Sequence, residues 1–336
     1  MQAITSAILG LLALVCLPVQ AAEIEGGQDA EIPAWFKGSF LDLKEDIDEA
    51  GAQGKRLMIY FHQNGCPYCA LLINTNFSQK TTVEYIDRHF DAIDINLWGD
   101  RDVTDLAGNT VSEKKFASNL KVWFTPTLLF FNEQGEVVLR INGYYPPHQF
   151  LAALRYVGEK LETRSSFRDY YARVSPAKAS GTLRTQDFFL KPPYDLAKRK
   201  GDKPLAVFFE QKDCPACDTL HADILSQPAS RALLARFEVV QLDMWSDTPL
   251  VTPAGKATTA RQWAGDTGIV YAPSVILFDR GREIIRIEAF LKAFHVQSVM
   301  DYVASGAYQR QPNLQRYLSE RARALSDKGR KVDIWK

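Results

Sequence analysis

Short apolar runs and amphipathic segments follow one another along the chain in an order that occurs twice. Leu57-Met58-Ile59-Tyr60-Phe61 and Leu205-Ala206-Val207-Phe208-Phe209 have the length and continuous hydrophobicity of buried strands. Each leads through a few polar residues into a helical stretch, Pro67 to Asn74 and Pro215 to Leu225. In both, proline stands in the first turn, where its missing N–H costs nothing. Second strands are predicted over Phe90 to Leu97 and Phe237 to Met244, then helices opened by capping-box spacing at Thr110-x-x-Glu113 and Thr259-x-x-Gln262. Leu128 to Phe131 and Val275 to Phe278 turn at Gly135 and Gly281 into Val137 to Ile141 and Glu283 to Ile287, two hairpins. Amphipathic helices near His148 to Val157 and Ala293 to Val303 close each unit. This alternation predicts an α/β protein of two similar domains, each a central mixed sheet flanked by helices.

The repeat extends to short motifs. Cys66-Pro67-Tyr68-Cys69 recurs as Cys214-Pro215-Ala216-Cys217, Trp98-Gly99-Asp100 as Trp245-Ser246-Asp247, and Phe124-Thr125-Pro126-Thr127 as Tyr271-Ala272-Pro273-Ser274. They keep one order and nearly one spacing, so the chain holds two copies of one domain, expected over 33–160 and 187–305. Between them, 161–186 carries the aromatic-basic pattern Phe167-x-x-Tyr170-Tyr171 and reads as a structured connector, with a turn following at Pro192-Pro193. The tail, 306–336, reads as a further amphipathic helix packed on the second domain.

Residues 1–21 differ from the rest. Ala7 to Leu17 is nearly all apolar, and small residues precede Ala22-Glu23, the pattern of a cleaved signal peptide. The chain is therefore expected to be exported. Forty basic residues against forty acidic ones give no net field to draw nucleic acid or an anionic membrane. With Cys16 removed in the leader, four cysteines remain, too few for a disulfide scaffold in a chain this long. They form two C-x-x-C pairs placed where disulfides persist.

At a strand-to-helix junction, the first cysteine of such a pair meets unpaired backbone N–H groups and the positive end of the helix dipole. These lower its pKa below the free value of about 8.5. The second, one turn inside, can attack a mixed disulfide and release the substrate. Cys66 and Cys214 are thus expected as accessible nucleophiles, Cys69 and Cys217 as resolving thiols. A four-cysteine zinc site would separate its pairs by roughly 15–20 residues, far less than here, so neither a metal nor another cofactor is expected. His62 and Glu210, at matching places before the pairs, are candidate proton relays. Asp213 beside Cys214 disfavours its thiolate, with Lys212 opposing. A disulfide isomerase with chaperone-like binding, and a non-catalytic binding or metal-delivery module, stay open as alternatives.

Strand, C-P-x-C, helix and a later aromatic-x-Pro before a strand resemble the thioredoxin fold in both halves. The resemblance implies that Pro126 and Pro273 are cis and that Thr125, Pro126, Ala272 and Pro273 face the cysteines and bind substrate. Over 33–160, Phe40-Leu41-Asp42-Leu43, Gly65 to Cys69, Asn96-x-Trp98-Gly99-Asp100 and Gly143-Tyr144 resemble the thioredoxin-related proteins of bacterial sulfur-oxidation clusters. That family implies disulfide or dithiol protein partners in the periplasm and a membrane thiol-electron transporter as the source of electrons. Tyr60 and Phe208 stand where cytoplasmic thioredoxins bury an aspartate, and C-P-Y-C and C-P-A-C replace C-G-P-C.

Overall fold

A computed structural model describes residues 24–174, 182–198, 202–212 and 214–335. The expected signal peptide, Cys16 and Asp213 lie outside the described residues.

Two four-stranded sheets share one strand order. In the first, Phe90–Asn96, Arg56–His62, Thr127–Phe131 and Val137–Asn142 lie side by side; in the second, Glu238–Asp243, Leu205–Glu210, Ser274–Asp279 and Arg282–Ile287. The first two strands of each are parallel and the others antiparallel, with Ile59 opposite Ile93 and Leu129, and Val207 opposite Val240 and Ile276. The strand before each cysteine pair is therefore central, which is why it is apolar throughout.

Alternation along these central strands sorts their side chains into different cores. Leu57, Ile59 and Phe61 pack in a core belonging to the first domain alone, and Leu205, Val207 and Phe209 in one belonging to the second. Met58 and Tyr60 join Ala206 and Phe208 in a single cluster that runs through both domains. Helices Pro67–Thr75, Pro147–Gly158 and Ala293–Ala304 contribute to that shared interior.

Equivalent residues meet where the domains touch. Tyr144 and Phe290 form an antiparallel bridge, Asn142 Nδ2 donates to Glu288 Oε2 at 3.2 Å, and Gly143 faces Ala289 so closely that a side chain at 143 would collide with it. Such self-matching is what a two-fold contact produces; here it lies within one chain.

The capping box predicted at Thr110 does not form. Thr110 ends up in the strand Thr110–Ser112, paired with Asp102–Thr104, and the helix begins at Glu113 with no side-chain cap. Glu113 is instead buried, accepting from Asn96 N at 2.8 Å and from the Arg101 backbone and guanidinium. At Thr259 the N-cap half forms, its hydroxyl accepting from Gln262 N at 3.3 Å. The stretch predicted as one helix from Pro215 is α-helical to Thr219 and π-helical over Leu220–Leu225.

The connector helix Phe167–Val174 docks Arg168 against the second domain, over the Trp245 ring and onto the Met244 and Arg261 carbonyls. In the tail, Leu314–Ser326 packs on the second domain through Tyr317, whose hydroxyl donates to Asp301. It also crosses to the first domain, and Val332–Asp333 pairs with Ile24–Glu25. Packing on the second domain is thus only half of what the tail does.

Candidate active sites

Each pair sits at the start of a helix. Cys66 caps Pro67–Thr75 and Cys214 caps Pro215–Thr219, both with extended backbone. The Cys66 sulfur accepts from Cys69 N at 3.1 Å, and the Cys214 sulfur from Cys217 N at 3.0 Å. Both pairs are closed as disulfides. Once reduced, the first sulfur of each remains aimed at by a backbone N–H at the positive end of a helix, which favours its thiolate.

Thr125–Pro126 and Ala272–Pro273 are cis peptides, and they bring the expected residues to the sulfurs. Cys66 Sγ lies 3.5 Å from Thr125 O and 3.3 Å from Thr125 Oγ1. Cys214 Sγ lies 3.6 Å from Ala272 O. Only the first site thus offers a hydroxyl to its sulfur.

The simple exposure expected of Cys66 and Cys214 is not what the structure has. Cys66 is 4% exposed and Cys214 7%. Cys66 forms part of the wall of a cleft of about 330 Å³ between the domains. Tyr68, inside the pair, is buried and points into the second domain. Its hydroxyl accepts from Lys292 N at 2.8 Å and stands 3.4 Å from His295 Nδ1, with the Trp335 ring edge-on. Burial pushes the Tyr68 phenol well above its usual pKa and lowers His295 to about 4. Asp29 accepts from Gly65 N at 2.6 Å, so an N-terminal segment also borders this site.

The two candidate relays differ sharply. His62 lies 3.3 Å from Asp94, which also takes Arg101 at 2.8 Å. Burial opposes ionisation of Asp94, but the His62 and Arg101 contacts outweigh it and hold the carboxyl below its ordinary pKa. Glu210 is fully buried, its carboxylate accepting from His221 Nε2 at 3.0 Å and Gln241 Nε2 at 2.9 Å. Gln186 Nε2 lies 3.0 Å from His221 Nδ1. Both ring nitrogens of His221 therefore have a polar partner. Sequence reading found Glu210 but missed His221. The signal available was its place one helical turn beyond Cys217, on the same face.

The recurring tryptophans have a structural task. Trp98 Nε1 donates to Gln63 at 2.8 Å and Trp245 Nε1 to Gln211 at 3.0 Å, bracing the loop before each pair. Among the described residues, no group of three or more His, Cys, Asp or Glu could hold a metal ion, and no helix is long and apolar enough to cross a membrane.

The family model of the thioredoxin-like domain matches the chain twice, over residues 43–158 and 193–304, and the chain belongs to that family. Among curated relatives, the thiol:disulfide interchange protein DsbD of Pseudoalteromonas atlantica is 27% identical over 113 residues, 33% of this chain and 17% of that protein. DsbD of Tatumella citrea is 25% identical over 134 residues, 39% of this chain and 21% of that protein. The chain thus spans about a fifth of these relatives. Among solved structures, a thioredoxin-fold protein from Helicobacter pylori is 24% identical and covers 39% of this chain and 93% of its own, at a TM-score of 0.32. A thioredoxin from Thermus thermophilus is 27% identical, covering 34% and 83%, at 0.28.

Proposed function

We propose that this thiol–disulfide oxidoreductase of the thioredoxin-like family acts in the periplasm as a reductant or electron relay, with one exchange centre in each domain. Cys66 and Cys214 are the nucleophiles, and Cys69 and Cys217 resolve the mixed disulfides. Thr125-Pro126 and Ala272-Pro273 bind the substrate, and Glu210 accepts the proton of the Cys217 thiol. His62, already committed to Asp94, contributes less to proton transfer. Electrons come from a membrane dithiol transporter and leave to disulfide-bearing partners, a role that suits a chain similar to disulfide interchange proteins. The likeness to proteins of sulfur-oxidation clusters rests on the motifs of the first half.

One observation carries the reading: in both domains the first sulfur accepts the second cysteine's N–H at a helix start, against the carbonyl that precedes a cis-proline. The test follows each pair separately by mass spectrometry after quenching with an alkylating reagent. Cys66→Ser should abolish exchange at the first pair and leave the second working, and Cys214→Ser the reverse. Wild-type turnover of the first pair in Cys66→Ser defeats the assignment.

A further inference from the structure

The cleft at Cys66 is closed by a wall that the catalytic reading does not use. The C-terminal helix supplies Gln315, Leu318, Ser319 and Ala322 to it, opposite Trp98 and Phe124 of the first domain, while Leu291 and Phe294 come from the second. The helix is fastened at this place. Gln63 Nε2 donates to Gln315 Oε1 at 2.9 Å, Gln315 Nε2 to Trp123 O at 2.8 Å, and Leu314 and Leu318 are buried. Gln63 also takes the Trp98 indole, so the helix is tied to the same brace that holds the cysteine loop.

We infer that this helix is a specificity wall and that the first pair reduces disulfides of two small thiols, about the size of cystine. The inference rests on Cys66 being the nucleophile and narrows its substrate. A cleft of about 330 Å³ lies at the small end of the roughly 300–1,000 Å³ that small-molecule sites occupy. A disulfide on a folded surface would have to bring its own backbone to Thr125 past both the second domain and the helix, with Cys66 only 4% exposed. A small disulfide meets no such obstacle. Its apolar methylenes fit against Phe124, Leu291 and Leu318, and its polar ends against the amides of Gln63 and Gln315 and the Ser319 hydroxyl.

The step balances on the pair alone. The Cys66 thiolate attacks one sulfur of RS–SR; that bond breaks and the first RS⁻ leaves. The Cys69 thiolate then attacks Cys66 Sγ, closing the protein disulfide and expelling the second RS⁻. The two protons of the dithiol end on two RSH, and the pair has lost the two electrons the substrate gained.

The test uses the full chain with Cys214→Ser and Cys217→Ser, pre-reduced, and compares second-order rates with cystine and with the disulfides of insulin. Cystine should react at least tenfold faster. Ser319→Trp, which fills the cleft from an exposed position, should cut the cystine rate at least tenfold while the reduction potential of Cys66–Cys69 and the melting temperature stay at their starting values. Equal rates for insulin and cystine overturn the inference and leave Cys66 as nucleophile, as does an undiminished cystine rate in Ser319→Trp. Failure of both substrates to react with titratable Cys66 thiol overturns the nucleophile assignment itself.

Discussion

The two cysteine pairs share a backbone and differ in what lies in front of and behind them. In front of the first stand Tyr68, the second domain and the C-terminal helix; at the position of Tyr68 the second pair has Ala216. Behind the first, His62 and Asp94 form a partly exposed pair shared with Arg101. Behind the second, the matching positions hold Glu210 and Gln241, fully or almost fully buried, with His221 added from the π-helical turn. The two copies therefore share the helix-start geometry of the sulfurs, while the groups in front of and behind them differ. The backbone sets what the sulfur can do, and the surrounding side chains set for whom.

The largest stability difference should come from behind the pairs. Glu210→Ala strips a buried carboxylate from two donors and leaves His221 Nε2–H and Gln241 without their acceptor. Each buried donor left unpaired costs about 1–3 kcal/mol. His62→Ala leaves Asp94 still held by Arg101 near the surface, for which about 1 kcal/mol or less is expected. Denaturant unfolding of the two variants measures both. Equal losses erase the contrast. Glu210→Gln, which keeps the volume, should also slow resolution by Cys217 more than attack by Cys214.

Next in size is the front of the first site. Tyr68→Phe removes the acceptor of Lys292 N–H inside the domain contact, at a cost of about 1–3 kcal/mol for a buried donor left unpaired. Tyr68→Ala goes further and opens the cleft, so alkylation of reduced Cys66 should accelerate at least tenfold while that of Cys214 does not change. Equal acceleration at both cysteines would mean that the domain contact, not Tyr68, controls access.

Most of the fold was legible because local patterns agreed. Apolar runs, hairpin glycines and the repeated C-P-x-C and x-Pro motifs each pointed to the same unit, and each domain has the expected mixed sheet. Long-range partners explain what was not legible. Thr110-x-x-Glu113 has capping spacing, yet the Glu113 carboxylate is drawn inward by Asn96 and Arg101. Gly99 beside it has no room for a side chain, because a Cβ would strike that carboxylate. In the second domain Ala260 stands where Glu113 does, and Ser246 where Gly99 does, so the pair of exchanges is visible once the contact is known. The C-terminal wall had no local signal, since an amphipathic helix does not announce which two surfaces it joins. Nor did the full cover over Cys66, to which the second domain and the C-terminal helix contribute from far along the chain.

A pH dependence at the front of the first site completes the comparison. His295 packs against Tyr68 and Phe294, and its ring is hydrogen-bonded to the Ile334 backbone. Burial lowers its pKa from 6.5 to about 4. A histidine with a depressed folded pKa binds its proton first in the unfolded chain. Stability from this group is therefore complete above about 6.5 and falls as the pH drops toward 4, where the folded state too becomes protonated. The loss accrues across that interval and ends once the folded state is protonated too. Carboxylates add their own loss at lower pH: Glu133, held down to about 2 by the Arg56 hydrogen bond, loses its contribution only as the pH falls below its ordinary 4.5. Subtracting the unfolding curve of His295→Gln from that of the parent isolates the histidine, and the difference should rise between pH 4 and 6.5 and be flat above. Gln149, which does not titrate, stands at the position of the first domain's closing helix that matches His295. A flat difference curve, or one that slopes the other way, removes His295 from the first site's control and leaves Tyr68 and the C-terminal helix to account for its closure alone.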